Sequence, residues 1–255
     1  MLRKVAPLSL VCLALVGGLF INATNHEVSR SERAVREAEA LIKKDKFEEA
    51  LVILLDEDKR LPHQIAIDAL IKKTFLSYCE FEIKAGDDAV ERNALDVEAY
   101  MREARGYSYL GDNLRAMEVL TEGTMENPGS ISLWMTIAAM EMKAGRDAEA
   151  VSVWSEVLRL NSRFGVAHNN LAYLLVKSNA RGVRDLQSAL MHAKEAVALE
   201  PRNADFIDTL AEVLDQMGDR AHALGLMQQA VALAPQEPAF RSHLKRIEMA
   251  TARAP

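Results

Sequence analysis

From residue 97 onward, apolar residues recur three and four apart in short stretches broken by polar turns. In 205–235, Ile207, Leu210, Ala211 and Leu214 share one face of a helix. Ala223, Met227, Ala230 and Leu233 do the same for a second helix. Gly218 stands between the two, at a point that needs a left-handed backbone, and Pro235 ends the stretch. The pattern predicts an antiparallel helical hairpin. Pro62, Pro128, Ser162, Pro201 and Pro235 each close a comparable stretch. Pro128 to Ser162 and Pro201 to Pro235 are both steps of 34; Pro62 to Pro128 is 66 and Ser162 to Pro201 is 39. A period in this range predicts hairpins stacked side by side, because one hairpin alone cannot bury its apolar face.

The same residue types return at the same offsets. The unit ending at Ser162 carries Trp134, Ile137, Ala138, Gly145, Ala150, Trp154 and Val157. The unit ending at Pro128 carries Tyr100, Ala104, Tyr107, Gly111, Ala116 and Leu120, with Gly123 where a small alanine is usual. The unit ending at Pro201 has Leu171, Ala172, Leu175, Ala189, Ala193 and Ala196, and its extra residues fall near 177–184, between its two helices. Insertion there is cheap, since loop-closure entropy grows slowly with length. Over 97–235 these positions resemble the tetratricopeptide repeat. HNNLAYLL and IDTLAEVL, either side of an alanine-rich helix, are similar to the tail of many bacterial repeat proteins. The resemblance implies an all-α fold, a right-handed superhelical solenoid of antiparallel helix pairs whose first helices line an inner wall.

Upstream the pattern loosens. Ala38, Leu41, Ala50, Leu54 and Pro62 fit one further unit, with Lys43-Lys44-Asp45 as its turn. Residues 63–96 read as one long helix over 64–84, a break at Ala85-Gly86-Asp87, and a short second helix, so 27–96 is expected to form degenerate repeats. Residues 236–255 suit a capping helix, with Phe240, Leu244 and Ile247 on the last repeat and a polar face toward water.

Residues 1–23 differ in kind. Arg3 and Lys4 precede an uncharged run, 5–21, ahead of Ala23. Helix of that length spans about 25 Å, against roughly 30 Å of hydrocarbon. This suits a signal peptide or a membrane anchor that engages the membrane or export machinery. The expected location is periplasmic or otherwise extracytoplasmic, anchored in the inner membrane by 5–21 if that run is not cleaved. A cytosolic adaptor is the alternative if the run is not an export signal.

Composition narrows the function. With 31 Lys and Arg against 37 Asp and Glu the chain is acidic, and it lacks the basic stripe that a nucleic-acid phosphate backbone requires. Two cysteines, one of them Cys12 inside the apolar run, leave Cys79 without a partner and exclude a disulfide framework. The six histidines are scattered, with no HxxxH or HExxH, and there is no glycine-rich phosphate loop or GxSxG elbow. Acidic runs such as Asp56-Glu57-Asp58 read as solvated or capping charge. No catalytic, cofactor or metal constellation is present in the pattern, and a non-enzymatic binding protein is expected.

Mapping by repeat offset, the resemblance assigns the inner wall to Glu98, Met101, Arg102, Arg105 and Ser108, then Ser132, Met135, Ala139 and Met142. Asn169, Asn170 and Tyr173 follow, then Asp205, Asp208, Glu212 and Asp215. Such a wall runs from arginine through methionine to carboxylate and suits a protein or peptide partner. Methionines adapt to irregular surfaces, and paired amides hydrogen-bond an extended backbone. The clamp by which some co-chaperones of this family grip a C-terminal carboxylate is not rebuilt, because matching positions hold Met101, Thr136 and Val166. The expected role is an assembly factor in the bacterial cell envelope, within a secretion, pilus or surface-polysaccharide machine; self-association as a structural protein is the alternative.

Overall fold

The structure, a computed structural model, describes residues 21–62, 64–180 and 182–252. The uncharged run at 5–21 therefore lies outside the described residues except for Ile21. Among the described residues there are twelve α-helices and no strand, and no helix there is long and apolar enough to cross a membrane. The chain divides into two compact units with the boundary after Lys84.

The first unit holds α1 (Ile21–Ile42), α2 (Phe47–Arg60) and most of α3 (Ile65–Arg92). α1 and α2 form the expected hairpin around Ala38, Ala50 and Leu54, all fully buried, with Leu70 and Ile71 of α3 against them. Asp45 turns the chain with φ 58°, the left-handed conformation that glycine supplies in later hairpins. Phe47 packs on Phe81, ring centroids 5.5 Å apart, and Cys79 is a free, buried thiol. Glu57 departs from expectation. It is buried rather than solvated and takes hydrogen bonds from Ser31 and Arg60.

The anticipated break at residues 85–87 is absent, and α3 runs through it to Arg92. Gly86 answers to packing, not to a turn. A Cβ there would lie 2.6 Å from the Glu103 Cβ and 2.8 Å from the Ala99 carbonyl oxygen. Only a bare backbone allows the helices to approach this closely.

The second unit stacks hairpins in chain order. α4 (Val97–Tyr109) pairs with α5 (Asn113–Glu126), α6 (Ile131–Lys143) with α7 (Asp147–Leu160), α8 (Gly165–Lys177) with α9 (Leu186–Leu199), and α10 (Ala204–Gln216) with α11 (Arg220–Leu233). α12 (Pro238–Ala252) packs on α11. Gly111, Gly145 and Gly218 sit at hairpin tips with φ of 82°, 70° and 89°. Asp96, Asp112, Ser130, Asp185, Asn203 and Asp219 cap helix N-termini by accepting backbone N–H groups, so chain direction is set locally.

Alanines fill the crossings as the repeat requires. Ala116, Ala138, Ala150, Ala172, Ala189, Ala193, Ala211, Ala223 and Ala230 are completely buried. Larger residues interlock repeats around them: Tyr100, Leu120, Leu133 and Ile137 join α4–α6, and Trp154, Val157 and Leu171 join α6–α8. The long loop of the third hairpin falls between α8 and α9. It is pinned by Ser178 Oγ donating to Asp147 Oδ2 at 2.5 Å and by Asp185 N donating to Leu175 O at 3.0 Å. Phe240 and Ile247 of α12 are buried and Leu244 partly so.

Candidate functional site

In the second unit the first helices of successive hairpins, α4, α6, α8 and α10, together with α12, place residues one repeat apart beside one another. Among the described residues, concavities on this wall include one between α4 and α6 and one on α8, α10 and α12.

The concavity between α4 and α6 has a volume of ≈ 340 Å³. Glu98, Met101, Arg105, Ser108 and Tyr109 face Thr136 and Met140 across it. Arg105 Nη2 donates to Glu98 Oε1 at 3.1 Å, and the Thr136 hydroxyl lies 3.4 Å from Met101 Sδ. Arg102 sits half-buried on the same helix. Met135 and Met142 are not among the residues that line this concavity. They pack against the core cluster of Ala138, Trp154 and Leu171, where the Trp154 indole N–H points at Met142 Sδ, 3.2 Å away.

Nearby, Glu103 is held against Gly86, and its carboxyl has a pKa raised to about 7. Burial is the main cause, and the charges of Asp87 and Glu122 add to it.

The second concavity, ≈ 330 Å³, lies on α8, α10 and α12. Tyr173, Val176 and Lys177 come from α8, Asp208, Thr209 and Glu212 from α10, and Ser242, His243 and Arg246 from α12. Glu212 is its electrostatic centre. Its carboxylate takes the Lys177 ammonium at 2.7 Å and a hydrogen bond from Arg246 Nη2. His243 Nδ1 lies 2.6 Å from Asp208 Oδ1, and Nε2 lies 3.2 Å from Glu212 Oε2. Arg246 reaches on to Asp215, 3.5 Å away, which Arg220 also approaches at 3.3 Å. Burial alone would raise the Glu212 pKa, but hydrogen bonds from His243 and Lys177 outweigh it and hold the group far below the usual carboxylate range. Burial alone would likewise lower His243; its bonds to Asp208 and Glu212 prevail and lift it to about 9, so the imidazole is cationic at neutral pH.

Thus Tyr173, Asp208 and Glu212 come together in one concavity, and Arg105 lines the other. Between them, Asn170 Nδ2 donates to Val166 O at 2.9 Å within its own helix, while Asn169 Oδ1 is buried with no hydrogen-bond partner. Sequence reasoning passed over Lys177, His243 and Arg246. The readable signal is their spacing: Lys177 to Glu212 and Asp208 to His243 are 35 apart, and Glu212 to Arg246 is 34. Away from the wall, His168 and His192 meet at 2.9 Å through their Nδ1 atoms, and His168 Nε2 lies 3.0 Å from the Ser162 carbonyl oxygen. Burial first, and then His168, holds His192 below the ordinary imidazole pKa. Among the described residues no three His, Cys, Asp or Glu side chains are grouped to hold a metal ion.

No family model matches the chain. Among curated proteins, a cellulose synthase operon protein C from Pseudomonas fluorescens (strain SBW25) is 24% identical over 133 residues, which is 52% of this chain and only 10% of that protein. Among solved structures, MamA (41-end) from Desulfovibrio magneticus RS-1 superposes with a TM-score of 0.55 at 20% identity, covering 61% of this chain and 85% of that solved chain. A thermophilic TPR protein from Thermus thermophilus gives 0.51 at 18% identity over 86% of this chain and 98% of its own. YrrB, described as a TPR protein with an unusual peptide-binding site, gives 0.52 at 15% identity over 90% and 98%. At these identities the likeness is one of fold, and it agrees with the alanine crossings and glycine tips at repeat spacing: the chain has the fold of the tetratricopeptide-repeat proteins.

Proposed function

We propose that this protein is a non-catalytic interaction scaffold that binds a partner protein or peptide along the first-helix wall of a right-handed superhelical array. One observation carries the reading. The hairpins bury their apolar faces against each other, which leaves the first helices free to present two open concavities. A preformed surface of this kind avoids the ordering cost a flexible one incurs on binding. The fold likeness to YrrB, whose description names a peptide-binding site, supports the same use of the wall. Residues Arg102, Arg105, Asn169, Asn170, Tyr173, Asp208 and Glu212 form the proposed contact surface, with Met135 and Met142 supporting it from the packed side.

We place this activity in the bacterial cell envelope, with residues 5–21 as export signal or inner-membrane anchor. The uncharged run behind Arg3 and Lys4 supports this, and the partial likeness to a cellulose synthase operon protein favours a surface-polysaccharide machine over the other envelope pathways.

The test is capture of envelope proteins by the full chain and by an Asn169→Ala/Asn170→Ala variant. The expected result is a partner retained by the parent and lost from the variant, with helicity by circular dichroism unchanged. Equal capture by both would sink the wall assignment.

A further inference from the structure

The order of residues along α10 suggests an acidic end to the wall, since Asp205, Asp208, Glu212 and Asp215 all fall on it. Packing inverts that sign at the concavity on α8, α10 and α12. The Glu212 and Asp215 side chains are only 5% and 9% exposed, whereas Lys177 and Arg246, which cover them, are 44% and 47% exposed. His243 adds a third cation beneath. Set against Asp208 and Glu212, these three groups leave one positive charge in excess, and the pair of Asp215 with Arg220 does not alter the balance. The buried carboxylates fix the cations in place, and the cations face the opening.

We propose that this concavity is a docking site for an acidic side chain, Asp or Glu, carried within an extended segment of the partner protein. The inference rests on the reading of the first-helix wall as the partner face and names the chemistry of what lies there. Charge complementarity is the argument. A carboxylate entering between Lys177 and Arg246 meets two charge-assisted donors that are already oriented, and the exposed Tyr173 and Ser242 also line the concavity. The site differs in kind from a terminal-carboxylate clamp, because its cations come from the last residue of α8 and the middle of α12 and are held by a buried glutamate. The chain's net charge of −6 does not oppose this at close range, since charges more than about 10 Å away are screened at ordinary ionic strength.

The experiment measures fluorescence anisotropy of three labelled peptides with the full chain. One alternates Glu and Ser and ends in an amide; the second has Gln for Glu; the third is the Gln peptide with a free C-terminal carboxylate. The Glu peptide is expected to bind about tenfold tighter than the amidated Gln peptide, in line with two partly exposed ion pairs, and to weaken as salt is raised. Ser242 is exposed, lines the concavity and touches none of the buried carboxylates. Ser242→Glu should therefore weaken Glu-peptide binding severalfold and Ser242→Lys strengthen it, both at unchanged melting temperature. The proposal is overturned if the Glu and Gln peptides bind equally, if no peptide binds, if only the free carboxylate confers binding, or if both Ser242 variants bind like the parent. None of these results bears on the asparagine-dependent capture, so the wall reading stands or falls separately.

Discussion

The two concavities of the first-helix wall have similar volumes and opposite construction. Between α4 and α6 the lining is thioether, hydroxyl and apolar surface, with an Arg105–Glu98 pair on the outside. On α8, α10 and α12 the lining is a network of charge centred on a buried glutamate. In the first, geometry comes from packing and the charges are ornaments of the surface. In the second, geometry comes from charge, and the cations that would meet a partner are also those that tie α8 and α12 to α10. A recognition surface and a structural fastening are therefore one object at that end and two objects at the other.

The sharpest way to break this contrast is to remove the carboxylate from each. Glu212→Ala leaves the largely buried His243 with Asp208 alone, leaves Arg246 with Asp215 alone, and frees Lys177. Urea unfolding should show a loss of about 3 kcal/mol, toward the lower end for a broken buried pair because two of the cations can turn to water. Glu98→Ala in the other concavity should stay within about 0.5 kcal/mol, as exposed pairs do. Equal losses would mean the two concavities are held in the same way.

Titration provides the next effect. The folded pKa of His243, about 9, lies above its ordinary value of 6.5. Its contribution is fully present below pH 6.5 and disappears as pH rises through 9, for a total on the order of 3 kcal/mol. His243→Asn should remove that alkaline slope from a plot of stability against pH. Glu212, displaced downward, acts on the other side: its contribution is present above pH 4.5 and is lost as acid protonates the folded carboxylate.

A further titration belongs to the α4 side. Glu103 is raised to about 7 by burial and by Asp87 and Glu122, so ionising it in the folded protein opposes folding. Stability from this group is present below pH 4.5 and lost as pH rises through 7. Glu103→Gln should therefore gain stability at pH 8, by up to about 3 kcal/mol, and gain nothing at pH 4. A loss at pH 8 would show that the carboxylate has a partner that stabilises its charge.

Most of the fold was legible in the chain because its determinants are local. Gly111, Gly145 and Gly218 mark the tips by backbone conformation, and buried alanines such as Ala138 and Ala211 mark the crossings by size. Gly86 misled for an instructive reason: a glycine required by close helix approach looks the same in sequence as one required by a turn. The wall was legible in outline but not in sign. Offsets bring Tyr173, Asp208 and Glu212 to one place, yet which charge lies on top depends on depth. Depth depends on the lengths of Lys177 and Arg246 reaching in from neighbouring repeats. Met135 and Met142 show the same limit, since one step around α6 separates a lining position such as Thr136 from a packed one.

The charges that bind α8 to α10 and α10 to α12 stand 34 or 35 residues apart. Equivalent places in consecutive hairpins are neighbours in space, so a tandem duplication of one hairpin would copy a carboxylate together with the slot for its cation. The electrostatic joints of this wall are thus heritable with the segment itself, and the array can lengthen by whole hairpins without inventing a new seam.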